Sequence, residues 1–268
     1  MRVAIIGPGI MGRAIAIEFS KVGFKTSIFA KSASQAQKAK TLIQTKLAKI
    51  DSMEILDFLD FKHSLAELEN YDLVIESITE DILIKQSLIR EISSIVRPSA
   101  IIASNTSSLK IEKIFSDYPN KQNVIGIHFF NPPHKMSLVE ISKTASTSKD
   151  TIDKVSDLIT KLHKHPVIIH DSTGMMVNRL LIPYINHACE LLEEKFTSIE
   201  AIDTAMTLGA NHPIGPFKLA DLIGIDVVVS ILKNLHQDGK GPKPHKILED
   251  MVSKNELGMK TGQGFYQY

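Results

Sequence analysis

A histidine and a glutamate that could share a proton occur close together in the chain, at positions 128 and 140. His128 ends a β-branched run, and Glu140 ends a second apolar run that follows Pro132 and Pro133. Two apolar runs separated by a turn-forming segment are typical of extended segments that fold back on each other. An imidazole with a pKa near ~6.5 exchanges protons at neutral pH, and a carboxylate on its other nitrogen fixes the tautomer. We therefore predict proton transfer at His128, with a purely structural histidine as the alternative.

A glycine motif near the start of the chain indicates a nucleotide ligand. The sequence G-P-G-I-M-G at residues 7–12 directly follows a strand pattern at residues 3–6 and directly precedes a helical pattern. In this context the glycines allow a tight turn and a close approach to a pyrophosphate, whose negative charge the helix N-terminus favours. The alternative is a glycine turn without function. The predicted dinucleotide contacts are Gly7, Gly9, Ile10, Met11 and Gly12.

Further strand patterns alternate with helical patterns up to about residue 170. Strands are predicted at residues 25–29, 71–75 and 100–103. Such alternation implies βαβ units and a parallel sheet, whose ligands bind at the carboxyl ends of the strands. Glu80 and residues 104–108 follow strand ends in the same way as the glycine motif and His128. We therefore expect one edge of the sheet to carry the functional site.

The pattern changes near residue 173, after which only helical periodicity is found. We predict an α/β fold in which residues 1–172 form an N-terminal Rossmann-like domain with a doubly wound, mostly parallel sheet. Residues 173–268 are predicted to form an all-helical C-terminal domain for substrate binding and dimerisation.

Composition excludes several classes of function. The 268 residues include 31 basic and 30 acidic ones, so no charge imbalance points to nucleic acid or to an anionic membrane surface. The single cysteine, Cys189, cannot build a disulfide framework or a multi-cysteine metal site, and no metal is expected. No apolar stretch approaches the roughly 18–20 residues of a membrane span, and a strand at residues 2–6 leaves no room for a cleaved signal. We expect a cytoplasmic protein without a membrane partner.

A series of short motifs runs in order along the whole chain. They include D-L-V-I-E-S-I-T-E at residues 72–80, S-N-T-S-S-L at 104–109, H-F-F-N-P at 128–132, M-S-L-V-E-I at 136–141, V-N-R-L-L-I-P at 177–183 and K-T-G-Q-G-F-Y at 260–266. Through these motifs the chain resembles the 3-hydroxyacyl-CoA dehydrogenases, most closely the short bacterial 3-hydroxybutyryl-CoA type. The resemblance covers both predicted domains.

The resemblance implies roles for individual residues. His128 would be the general acid/base and Glu140 its orienting carboxylate, while Ser107 and Asn178 would hydrogen-bond the reacting oxygen and its surroundings. The nicotinamide and ribose would be lined by Glu80, Lys85, Asn105, Ser107, Lys143 and, from the C-terminal tail, Lys260. The acyl-CoA substrate would contact Ser107, Asn131, Asn178, Lys46 and Lys49.

The implied activity is that of an oxidoreductase in fatty acid metabolism. It would move a hydride between a nicotinamide cofactor, NAD(P)(H), and C3 of an (S)-3-hydroxyacyl-CoA or 3-oxoacyl-CoA. Two alternatives stay open: a dehydrogenase of a free hydroxy acid or a carrier-bound acyl group, and a non-catalytic dinucleotide-binding protein. The resemblance, together with the apolar helical faces of the second half, also implies a homodimer.

The second predicted strand ends without the acid that selects NAD. Residues 25–29 are followed by Ala30, Lys31 and Ser32, and no acidic residue occurs within residues 19–50. A carboxylate at this place accepts hydrogen bonds from the ribose 2′-hydroxyl and repels a 2′-phosphate. Lys31 and Ser32 could instead contact a phosphate. The sequence therefore favours NADP(H), whereas the family's usual preference for NAD, with Lys31 merely solvated, is the alternative.

Overall fold

One eight-stranded sheet organises the first of two units into which the chain divides. The computed structural model describes residues 1–268, and its units are Met1–Ser172 and Thr173–Tyr268. The strands are β1 (Arg2–Ile6), β2 (Lys25–Phe29), β3 (Leu59–Lys62), β4 (Leu73–Glu76), β5 (Ile101–Ser104), β6 (Val124–Phe129), β7 (Leu138–Lys143) and β8 (His165–His170). Their order in the sheet is β3-β2-β1-β4-β5-β6-β7-β8, and every neighbouring pair is parallel except β6 and β7. The predicted Rossmann-like, doubly wound and mostly parallel sheet is thus confirmed.

The central strands are apolar on both faces because helices connect them on both sides of the sheet. In β1, residues Val3, Ala4 and Ile5 have no exposed surface, and Val3 and Ile5 belong to a core that also includes Ile15 and Phe19. Burial of one such large side chain contributes about 1.5–3 kcal/mol to folding. The helices of this unit are α1 (Ile10–Lys21), α2 (Ala33–Ala48), α3 (Ile82–Ser93), α4 (Ile111–Ile114) and α5 (Lys149–Lys161).

Two features of the first unit differ from the sequence-based expectation. Strand β3 was not predicted, because its four residues are too few to show a period, and it pairs in parallel with β2 at the sheet edge. Helical periodicity over residues 81–97, with Pro98 as its stop, predicts a longer helix than α3, which ends at Ser93. The hydroxyl of Ser93 donates to the carbonyl of Arg90, and serine hydroxyls of this kind compete with helix continuation.

The second unit consists of five helices, as expected for an all-helical region. They are α6 (Val177–Glu193), α7 (Ile199–Gly209), α8 (Pro216–Ile223), α9 (Ile225–Gln237) and α10 (Lys246–Ser253). Gly224, whose φ of 102° disfavours other residues, separates α8 from α9. Cys189 is buried in α6, and burial raises the pKa of its thiol to about 12, so the thiol is unreactive at neutral pH. None of the helices is long and apolar enough to cross a membrane.

Candidate active site

The reversed strand pair β6–β7 holds His128 and Glu140 directly opposite each other. Directly opposite residues of an antiparallel pair project from the same face of the sheet. The His128 ring donates from Nδ1 to Oε2 of Glu140 over 2.8 Å, and the Glu140 side chain has no exposed surface. The ring of Phe130 packs against the imidazole with its centroid 4.6 Å away. This arrangement fixes the tautomer in which Nε2 is the nitrogen that can accept a proton.

Asn105 connects the end of β6 to the end of β4. Its side-chain oxygen accepts a hydrogen bond from the backbone N–H of Phe129 over 3.0 Å, directly beside His128. Its amide nitrogen donates to the hydroxyl of Ser77 over 3.4 Å. The carbonyl of Ser77 in turn lies so close to Gly7 that a Cβ on this glycine would come within 2.4 Å of it. The predicted proton-transfer pair and the glycine motif are therefore joined through one asparagine.

The glycine motif has the shape that a dinucleotide pyrophosphate requires. Gly7 has a φ of 116°, and a Cβ on Gly12 would lie 1.9 Å from the carbonyl of Gly7, so both positions exclude a side chain. A Cβ on Gly9 would meet nothing within 4 Å, which leaves open space over the turn. Helix α1 begins next to this space, with no side-chain cap and no acidic residue in its first turn, which contains Ile10 and Met11. A phosphate group fits this cradle because the helix N-terminus favours an anion.

Glu80 holds the loop that carries Ser107. Its Oε1 accepts hydrogen bonds from the backbone N–H groups of Ser107 and Ser108, both over 2.9 Å, and from the hydroxyl of Thr106 over 2.6 Å. Its Oε2 lies 3.4 Å from the ammonium group of Lys85. Burial alone would raise the pKa of Glu80, but Lys85 and the hydrogen bonds together lower it below the ordinary value. Glu80 is therefore ionised at neutral pH, and it positions Ser107.

Lys85 supports this arrangement from inside the protein. The side chain was expected to line the nicotinamide and ribose site, but it has no exposed surface. Its ammonium group donates to both carboxylate oxygens of Glu76 over 2.8 Å, and the Ser104 hydroxyl donates to the same carboxylate. The predicted residues do not include Glu76, and they include Ser104 only as the first residue of the range 104–108, without a role of its own. Their signal in the sequence is that each is the polar last residue of a buried strand, and the two are neighbours in the sheet register.

The remaining predicted residues of the first unit lie on its surface or at strand ends. Ala30 directly follows β2, Lys31 is exposed, and the Ser32 hydroxyl caps α2 by accepting from the N–H of Gln35 over 3.3 Å. Lys143 is the last residue of β7. Exposed positions are occupied by Asn131, Lys46 and Lys49.

Two predicted site residues belong to the second unit. Asn178 lies in the first turn of α6, and Lys260 lies in a short 3₁₀ turn, where its ammonium group pairs with Asp226. No group of three or more His, Cys, Asp or Glu side chains is arranged to hold a metal ion.

Comparison with known proteins identifies the family. Residues 2–172 match the "3-hydroxyacyl-CoA dehydrogenase, NAD binding domain", and residues 174–268 match the "3-hydroxyacyl-CoA dehydrogenase, C-terminal domain". The chain belongs to the 3-hydroxyacyl-CoA dehydrogenase family. The resemblance inferred from the motifs is confirmed, and membership makes the chain an oxidoreductase with a nicotinamide cofactor.

Individual members of the 3-hydroxyacyl-CoA dehydrogenase family are similar over the whole chain. A 3-hydroxybutyryl-CoA dehydrogenase from Clostridioides difficile is 38% identical over 279 residues, covering 100% of this chain and 99% of that protein. The mitochondrial hydroxyacyl-coenzyme A dehydrogenase of Homo sapiens is 36% identical over 99% of this chain and 90% of its own length. The crystal structure of (S)-3-hydroxybutyryl-CoA dehydrogenase from Ralstonia eutropha superposes with a TM-score of 0.94 at 36% identity, covering 100% and 98% of the two chains.

The lowered pKa of Glu80 predicts how acid affects the stability of the first unit. The stabilisation is fully present above the ordinary carboxyl value of 4.5 and is lost as the pH falls through the lowered value. Glu80→Gln should therefore reduce the free energy of unfolding at pH 7 by about 1.5–3 kcal/mol, the range for hydrogen bonds to a charged group. The deficit should be smaller at about pH 3.5 than at pH 7, because the stabilisation starts to be lost once the pH falls below the ordinary value of 4.5. Denaturant unfolding at both pH values tests this.

The exposed Glu69 provides the control for this experiment. Glu69→Gln removes the same charge from the surface and should leave stability nearly unchanged at both pH values. An equal loss of stability for Glu80→Gln at pH 7 and pH 3.5 would show that the charge of Glu80 is not what stabilises the loop.

Proposed function

We propose that the chain interconverts (S)-3-hydroxyacyl-CoA and 3-oxoacyl-CoA thioesters, with His128 as general acid/base and Glu140 as its orienting carboxylate. The main support for this proposal is the 2.8 Å hydrogen bond between these two side chains. His128 lies near the carboxyl end of β6, at the same edge of the sheet as the glycine motif that follows β1. The substrate class follows from the names of the relatives, which act on 3-hydroxybutyryl-CoA or on hydroxyacyl-coenzyme A.

The proposed roles divide the reaction between the cofactor and the protein. The nicotinamide, when bound, accepts or donates the hydride. In the oxidation His128 takes the proton of the C3 hydroxyl at Nε2, and in the reduction it returns a proton to the oxygen at C3. His128 is an imidazolium after it has taken the proton in the oxidation and before it gives the proton back in the reduction. Glu140 stabilises this charged form, because its carboxylate accepts the hydrogen bond from Nδ1.

Further residues are proposed to bind and orient the reactants. The hydroxyl of Ser107, on the loop fixed by Glu80, would donate to the reacting oxygen. A role of Asn178 in binding the reactants stays a prediction from the family resemblance. The pyrophosphate of the cofactor would lie over the glycine motif, and the nicotinamide half near Glu80, Asn105 and Lys143. A contact of Lys260 with the cofactor stays a prediction from the family resemblance. The CoA moiety would contact Asn131, Lys46 and Lys49.

The role of His128 can be tested by substitution. His128→Gln removes the titrating nitrogen but keeps a polar side chain of similar size, so turnover should fall by about 10²–10⁴-fold while cofactor affinity stays nearly constant. The assay follows nicotinamide absorbance with acetoacetyl-CoA as substrate, and cofactor binding is measured separately by calorimetry.

His134 of the same unit is the matched control, because it is exposed and has no proposed role in the reaction. His134→Gln should therefore leave turnover unchanged. Near-normal turnover in His128→Gln would refute the assignment. The same assay with the pantetheine thioester and with free acetoacetate distinguishes a CoA substrate from the two alternatives, a carrier-bound acyl group and a free hydroxy acid.

We also propose a preference for NADP(H), based on the end of β2. The structure has Ala30 where a carboxylate would contact the ribose 2′-hydroxyl, so the group that repels a 2′-phosphate is missing. Lys31 is exposed beside it, and Ser32 lies at the N-terminus of α2, whose first turn contains no acidic residue. A cation, a hydroxyl and a helix N-terminus are together suited to a phosphate.

Kinetics with the two reduced cofactors test this preference. We expect kcat/KM to be higher for NADPH than for NADH at the same pH and salt, and Ala30→Asp should reverse the order by restoring the repulsion. Lys31→Gln should lower kcat/KM for NADPH and leave that for NADH nearly unchanged. A wild-type preference for NADH above about tenfold, or ~1.4 kcal/mol of differential binding, would refute the proposal.

The helical unit is proposed to form a homodimer. Three large apolar side chains are largely exposed there: Leu180 is 73% exposed, Phe196 76% and Leu208 83%. Exposed large apolar side chains on a helical surface favour self-association, and closed two-fold dimers are the commonest result.

Light scattering at micromolar concentration should therefore give the mass of a dimer. Leu180→Glu and Leu208→Glu should shift the protein towards the monomer, because each would place a charge in the proposed interface. Leu83→Glu changes an equally exposed residue of the first unit and should leave the mass unchanged. A wild-type monomer would contradict the proposal.

A further inference from the structure

We propose that the buried cluster of Glu76, Lys85 and Glu80 carries a net negative charge that favours the oxidised form of the nicotinamide cofactor over the reduced form. This inference rests on the proposed function. We call these three residues the carboxylate–lysine cluster. In this proposal Glu76, which has no exposed surface, affects the relative affinity for the oxidised and reduced cofactor without contacting the ligand.

The charge of the cluster follows from its hydrogen bonds. Both oxygens of Glu76 accept from the Lys85 ammonium over 2.8 Å, and one of them also accepts from the N–H of Ile78 over 3.3 Å. Glu80 accepts only, from Ser107, Ser108 and their neighbours. Both carboxylates are thus used as acceptors in the way that ionised groups are. With one ammonium group between two carboxylates, the cluster has a net charge of minus one.

A dinucleotide bound at this edge of the sheet would have its nicotinamide half near the carboxylate–lysine cluster, as the order of the strands indicates. The ribose that β2 would contact belongs to the adenosine half, and the glycine motif after β1 fits the pyrophosphate. The other half must then extend over β4 and β5 towards β6, which carries His128. Glu76 ends β4, Glu80 follows it, and the loop that Glu80 holds begins at the end of β5.

The two cofactor forms differ in the charge of the ring. Oxidised nicotinamide carries one more positive charge than reduced nicotinamide, so a nearby net negative charge stabilises the oxidised form selectively. Water and salt screen this effect weakly, because Glu76 and Lys85 are fully buried. The cluster therefore shifts the ratio of the two cofactor affinities and, with it, the balance between oxidation and reduction on the enzyme.

The decisive experiment removes the charge without changing the shape of the site. Glu76→Gln is isosteric and lies out of reach of the ligand, and it brings the net charge of the cluster to zero. Dissociation constants for the oxidised and reduced forms of the same cofactor are measured by calorimetry on the full chain. We expect the affinity for the oxidised form, relative to the reduced form, to fall about tenfold, which corresponds to ~1.4 kcal/mol.

Two controls separate charge from structure. Ser104→Ala removes a hydrogen bond to Glu76 but leaves its charge, so the affinity ratio should not change. Glu69→Gln removes a charge from the exposed surface and should also leave the ratio unchanged. If Glu76→Gln does not fold, Glu80→Gln changes the net charge of the cluster by the same amount and should lower the ratio in the same direction.

The outcomes distinguish this inference from the proposed function. An unchanged ratio in folded Glu76→Gln, or in Glu80→Gln when it replaces that variant, overturns the role of the cluster while the proposed function stands. An equal fall of the ratio in Ser104→Ala also overturns it, because that variant keeps the charge. If the wild-type protein binds neither cofactor form, the proposed function itself fails.

Discussion

The hydrogen bond between His128 and Glu140 depends on the one reversed strand pair in the sheet. Parallel neighbours need a long crossover connection, so two chemically coupled residues on such strands are far apart in the chain. The reversal between β6 and β7 brings together two residues that one short connection separates. It also gives a buried carboxylate the partner that its desolvation requires. Every other feature of the site is arranged around the end of β6, where this pair is held.

Hydrogen bonds of polar side chains fix the loops at the carboxyl ends of the neighbouring strands relative to this pair. Asn105 ties the residue after His128 to Ser77, and Glu80 fixes the loop between β5 and α4. The far end of this loop is held by Asp171, whose carboxylate accepts from the first N–H groups of α4 over 2.8–2.9 Å. Because the loop is held on both sides, Ser107 has a fixed place although it lies outside regular structure.

Local patterns were sufficient to predict the sheet, the glycine motif and the pairing of His128 with Glu140. Each depends on residues close in sequence: apolar runs, turn residues and glycines whose context identifies them. The burial of Lys85 could not be predicted in this way, because a lysine is expected on the surface and its two carboxylate partners lie on a neighbouring strand and loop. Strand β3 could not be predicted for a related reason, because its place beside β2 depends on pairing and not on its own four residues.

The antiparallel register has a consequence for how the protein can change during evolution. Side chains alternate between the two faces of a strand, so a slip by one residue would move Glu140 to the face opposite His128. No intermediate register exists that would weaken the pair gradually. Buried neighbours such as Ile127 and Val139 favour this register, because a slip by one residue would move their side chains to the opposite face. A shift of either strand by one residue therefore abolishes the pair in a single step.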